Sequence, residues 1–168
     1  MAAVDWKAGM RITADRMRAS VPQAWTTWTP TWDTVTGSAL PSYGNAGVTG
    51  EYVQFGQLCM GRLEIQFGST TSFGVGATGS DNWQFSTPIT AADTTLIAGW
   101  GELQDDGGNN RCGTRIRMNT VDTFGLEISS GGVNGAAITN IGVVDASAPW
   151  TWQSGDWIRF FFMYETAS

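Results

Sequence analysis

The sequence contains no histidine, a single lysine (Lys7) and two cysteines (Cys59 and Cys112), and charged residues make up only 14% of its 168 positions. Without histidine, Ser-His-Asp and Cys-His activation of a nucleophile is excluded, as are imidazole metal ligands. Any catalysis would have to run on carboxylates. Two cysteines are too few for a disulfide scaffold and match no CxxC metal pattern, so buried free thiols are expected and no cofactor is. The longest apolar run, Phe160-Phe161-Phe162-Met163-Tyr164, falls far short of the roughly 18 residues of a membrane helix. Residues 1–7 lack the apolar stretch of a secretory signal, so synthesis in a cytoplasm without membrane insertion is expected.

Basic charge is also scarce. The net charge is −6, which argues against nucleic-acid binding through a broad basic surface, because neutralising phosphates needs clustered Lys and Arg. The few cations are unevenly placed. Residues 1–20 carry Lys7, Arg11, Arg16 and Arg18 against Asp5 and Asp15, whereas the remainder carries five basic against thirteen acidic residues. A basic arm on an acidic body suggests an arm that docks on something acidic, with a short solvated helix as the plainer reading.

Gly (22), Trp (9) and Phe (8) are abundant instead, together with many Thr. This composition favours pleated, half-buried strands joined by tight turns, and the length fits one domain. The expected architecture is all-β, a jelly-roll-like antiparallel sandwich over residues 23–168 preceded by an arm over residues 1–22. In the arm, Thr13 can cap a helix over residues 14–20, with Asp15 in the first turn, Ile12 and Met17 at staple positions, and Pro22 ending it. Two turns are marginal alone, so the arm must pack on the body or on a partner.

From Trp25 the pattern has period two. Residues 25–32 read as an extended first strand with Pro30 at an edge or bulge, followed by strands at 51–55, 58–67, 83–85, 96–104, 111–119, 124–128, 138–144 and 157–164. In 58–67, Cys59, Gly61, Leu63, Ile65 and Phe67 share one face and Arg62, Glu64 and Gln66 the other. In 111–119, Cys112, Thr114, Ile116 and Met118 face away from Arg111, Arg115 and Arg117. Asp105-Asp106-Gly107-Gly108-Asn109-Asn110 reads as a hairpin turn; it lacks the spacing of an EF-hand loop. The closing strand is apolar on both faces, Ile158, Phe160, Phe162 and Tyr164 on one and Trp157, Phe161 and Met163 on the other. Its second face therefore needs a cover, either the arm or a neighbouring subunit, and Trp157, Phe161 and Met163 are the candidate oligomer interface.

Glu51, Glu64, Glu102, Glu127 and Glu165 qualify as glycosidase carboxylates by residue type, but no spacing singles out a pair. Trp83, Trp100, Trp150 and Trp152 fall near strand ends or loops and are candidate glycan-stacking residues, with core filling as the competing role.

Four stretches carry a family likeness: Trp25-Thr26-Thr27-Trp28-Thr29-Pro30-Thr31-Trp32, residues 50–56 (GEYVQFG), residues 67–74 (FGSTTSFG) and residues 83–92 (WQFSTPITAA). The close, Pro149-Trp150-Thr151-Trp152-Gln153-Ser154-Gly155-Asp156 and then Tyr164-Glu165, and the opening at residues 6–15 belong with them. Together they resemble a β-structured module of tailed phages infecting actinobacteria, whose members are mostly minor tail or tail-fibre proteins. The resemblance implies a structural or adhesive virion protein, commonly a homotrimer, with no catalytic residues to carry over. The expected function is a non-enzymatic tail or spike component located in the virion. Its partners would be further copies of itself, tail or major capsid proteins, and host cell-surface glycan. Trp6, Met10, Arg11, Ile12, Arg16, Met17 and Arg18 would anchor it. A capsid decoration protein or head fibre is the alternative, and a carbohydrate-binding module a further one.

Overall fold

The computed structural model describes residues 7–11, 13–14, 24–95, 97–108, 110–128 and 142–167. Among these, every regular element is a strand: β1 (Thr26–Thr27), β2 (Trp32–Thr34), β3 (Gly47–Phe55), β4 (Leu58–Gln66), β5 (Trp83–Ser86), β6 (Ile97–Asp105), β7 (Asn110–Thr120), β8 (Thr123–Ile128) and β9 (Trp157–Glu165). Ala14 apart, the predicted arm helix lies outside the described residues, as do Trp6, Ile12, Arg16, Met17 and Arg18 of the anchoring set. Of that set, Met10 is half-buried, its N–H donating to the Lys7 carbonyl, and Arg11 is exposed.

The strand spacing predicted a sandwich, but the nine strands join one antiparallel sheet in the order β1-β3-β4-β9-β6-β7-β8-β5-β2. The single extended strand expected over residues 25–32 is instead two short ones at opposite edges of that sheet. Laid flat, nine strands would span about 38 Å. Thr27 and Trp32, which sit at the two edges, are five residues apart and cannot be separated by more than about 17 Å. The sheet must therefore curl until its edges approach. The Trp28 N–H donates to the Gly50 carbonyl on the β3 side (2.8 Å), while Ser86 N–H donates to the Thr31 carbonyl on the β5 side (3.0 Å). Pro30, which has no N–H to offer a ladder, stands between these two attachments. Neither edge leaves a long unpaired strand, which removes the usual route to edge-to-edge association.

Curling places one face of every strand but β1 inside. Alternation in β4, β7 and β9 is as the sequence predicts, with Cys59, Leu63, Ile65, Cys112, Ile116, Met118, Ile158, Phe160, Phe162 and Tyr164 buried. Phe162 packs against Phe124 across the interior (ring centroids 4.9 Å apart) and takes the edge of Trp28 at 5.7 Å. Trp32, Phe67, Trp83 and Trp152 form a second aromatic grouping in the same continuous core, joined to the first through Phe85 and Phe160. The 105–110 segment is a hairpin turn, as expected: Asp105 pairs with Asn110 in register, and the Asp105 carboxylate accepts from the Gly108 N–H (2.7 Å). Beyond β8, the described part of the predicted 138–144 strand forms an isolated bridge, Val143 to Glu127, and its Val144 carbonyl accepts from the Trp83 N–H; residues 138–141 lie outside the described set.

Both cysteines are free and buried on the inner face. Burial pushes the Cys59 thiol up, and burial together with the negative charge of Glu102 pushes Cys112 up to about 12. Because the thiolate is the reactive form, neither cysteine should react with a disulfide reagent at pH 8 in the native state. Both should react once the chain is unfolded in denaturant, as followed by thionitrobenzoate absorbance; titration of a thiol in the native protein would contradict this packing.

Candidate functional site

Side chains on the outer face are ordered by strand pairing. One row crosses six strands: Glu51 on β3, Arg62 on β4, Phe161 on β9, Trp100 on β6, Arg115 on β7 and Glu127 on β8 are successive register partners. Its ends are ion pairs, Arg62 with Glu51 (2.8 Å) and Arg115 with Glu127 (2.5 Å), and Arg117 adds a second bond to Glu127 (2.9 Å). Its middle is aromatic, with Trp100 and Phe161 at 6.3 Å between ring centroids and tilted by 38°. The next row carries Glu64, Arg159 and Glu102. Arg159 pairs with Glu102 (3.2 Å), donates to Gln104 (2.8 Å) and lies 4.1 Å above the Trp157 ring. On the opposite side of the aromatic row, Met60 and Met163 are register partners.

Between the first two rows lies a shallow depression of about 530 Å³, lined by Arg62, Glu64, Trp100, Glu102, Arg159 and Phe161 among others. Its walls carry two arginines and two glutamates, so they are electrically balanced. Burial alone would raise the Glu127 carboxyl, but its bonds to Arg117 and Arg115 and their charges outweigh that and hold it below its ordinary value. All five arginines outside the arm, Arg62, Arg111, Arg115, Arg117 and Arg159, stand on this face, and four of them, all but Arg111, are paired with a glutamate there.

The predicted interface residues divide. Phe161 and Met163 are 57% and 55% exposed, and Trp157 is half-buried under Arg159. The predicted glycan-stacking residues divide more sharply. Trp100 is 53% exposed, but Trp83 and Trp152 are 0% and 4% exposed. They are core residues with no face to offer a sugar, because β5 and the 145–155 segment turn them into the second aromatic cluster, where their centroids are 5.2 Å apart. Trp150 is half-buried against Trp152. Two separate expectations, a sugar on Trp100 and a subunit on Phe161, therefore meet at one place. Sequence reasoning missed Met60 and the arginine–glutamate frame; the only signal for Met60 was an apolar residue on the polar face of β4.

Among the described residues no group of three or more His, Cys, Asp or Glu side chains is placed to hold a metal ion, and no helix is long and apolar enough to cross a membrane. No protein-family model, curated protein or solved structure matches the chain.

Proposed function

We propose that this chain is a non-enzymatic structural protein of a tailed-phage virion: a small tail or spike component held by its N-terminal arm, whose outer sheet face makes protein contacts. The observation that carries the contact role is the outer face itself. Met60, Trp100, Phe161 and Met163 stay 40–57% exposed on three neighbouring strands of a body whose inner face is closely packed. Aromatics, Met and Arg with almost no Lys are the composition of a protein interface rather than of an idle surface. The virion context rests on the resemblance of the strand and turn segments. The basic arm on an acidic body favours the second reading, a capsid decoration protein gripping the head.

Immunogold microscopy of particles carrying the chain tests the context. Label on the tail or its tip supports the first reading, label over the head replaces it with the second, and unlabelled particles overturn both. Phe161→Asp tests the face: the variant should keep the wild-type β-sheet circular dichroism yet fail to enter particles. Normal incorporation would remove the contact role.

A further inference from the structure

We infer that the outer face of β4, β9 and β6 is a self-complementary surface on which a second copy of this chain docks about a two-fold axis. The inference rests on the contact role proposed above and names the partner. Three features select it. First, among the described strands edge pairing is closed to this sheet, since its edges are the two- and three-residue strands β1 and β2 drawn from one segment, which leaves its faces for association through the sheet.

Second, the body as a whole is acidic, which opposes approach of a like-charged copy. The outer face is where that opposition vanishes, because the arginines are gathered there and all but Arg111 are matched by glutamates. A strongly basic or strongly acidic partner would gain nothing from a balanced face; a partner with the same alternating pattern would.

Third, the two rows flanking the depression are complementary at two of their three positions. One reads Arg62, Phe161, Trp100 and the other Glu64, Arg159, Glu102 across the same three strands. A two-fold axis parallel to the sheet, about 5 Å above its outer face, perpendicular to the strands and passing between the rows, lays each row on the other row of the second copy. Arg62 then meets Glu64 of the second copy, and Phe161 meets its Arg159, a cation over an aromatic face. Trp100 falls opposite Glu102, the one position of the three that adds no complementary pair. One step further out, Met163 meets Trp157 of the second copy, a sulfur–aromatic contact. Such an interface is isologous, each contact occurring twice, in keeping with the commonest symmetry of soluble oligomers. Aligned packing of two sheet faces is a standard arrangement that leaves the sheets about 10 Å apart. The threefold association implied by the resemblance would instead require a different surface patch opposite each face, and the pairing of these two rows would then be unused.

The test is sedimentation velocity of the full chain. The wild type should sediment at twice the 18.0 kDa chain mass. Arg62→Glu alone and Glu64→Arg alone should each weaken the dimer by about tenfold or more. The double variant Arg62→Glu/Glu64→Arg should recover it, because the ion pair between copies is restored with its signs exchanged. Circular dichroism of each variant reports whether it is folded, and the reciprocal rescue is a readout that loss of folding does not mimic. A wild-type chain that is monomeric at tens of micromolar, a trimer, or a double variant no tighter than the singles would each overturn the inference. A monomeric wild type combined with exclusion of Phe161→Asp from particles would overturn self-pairing while leaving the contact role standing. Phe161→Asp chains that enter particles normally would overturn the contact role itself.

Discussion

Replacing Trp83 with alanine is expected to cost about 3–5 kcal/mol of folding stability, the range for emptying a large aromatic site in a core. Domains of this size are stable by only about 5–15 kcal/mol in total, so the variant should lose a large fraction of its stability. The reason is local. The Trp83 side chain is completely buried and lies against four other rings, with Trp32 edge-on at 4.8 Å, Trp152 at 5.2 Å, and Phe67 and Phe73 each at 6.1 Å. Its strand is only four residues long, yet it ties β2 to β8, and its N–H also fixes the 142–145 segment by donating to Val144 (2.9 Å). An alanine there leaves a cavity that the surrounding rings cannot close without abandoning their own contacts. Urea denaturation followed by far-ultraviolet circular dichroism measures the loss directly. Trp83→Phe, which keeps most of the volume, should lose far less stability, although removal of the Trp32–Trp83–Trp152 grouping should still alter the near-ultraviolet dichroism strongly. A Trp83→Ala midpoint within experimental error of wild type would mean that this cluster is not the core.

Gly99→Ala should have the next largest effect, at least about 1–3 kcal/mol for overpacking a site with no room to yield. A Cβ at Gly99 would stand 1.9 Å from the Phe161 carbonyl oxygen and 2.9 Å from the Phe162 Cα. The obstruction is backbone, so no side-chain rotation relieves it and β6 would have to part from β9. These are central strands of the sheet, and the register irregularity between Ile97 and Gly99 sits at the same point. Because Phe161 and Trp100 flank this position, the outer face should be disturbed along with the core. Gly47→Ala makes the contrast. Nothing lies within 4 Å of its Cβ position, so that variant should be neutral or gain about 0.4–1 kcal/mol from the less flexible unfolded chain. Thermal melts of the two variants beside the wild type check the pair, and equal melting temperatures would refute the close approach at Gly99.

How much of this was legible in the sequence depends on the range of the interaction involved. Alternation fails at Thr120, beyond the register shift after Met118. Over residues 59–66 of β4 and 111–118 of β7 it separates buried from exposed side chains correctly, because successive residues of a strand point to opposite faces whatever the strand pairs with. The 105–110 hairpin is legible for the same reason, since its Asp and Gly residues determine the turn between adjacent strands. The segment over residues 25–32 misleads. Its Trp–Thr alternation is genuine, but nothing local records that the first half bonds to β3 and the second to β5. Trp83 and Trp152 mislead similarly: indoles near loops are the same residues whether they face solvent or one another.

Composition and periodicity by themselves determined the all-β class, the inner face of most strands, the buried thiols, and the surplus apolar face of β9. These follow from local backbone geometry and from the cost of leaving apolar surface in water. Tertiary structure alone decided that β9 inserts between β4 and β6, that one short segment supplies both edges of the sheet, and that Arg62, Phe161, Trp100 and Arg115 stand in a single row. Those residues are separated by up to about a hundred positions in the chain. Their meeting is selected by the summed packing of the whole sheet against the entropy of closing its loops, which no window of sequence contains.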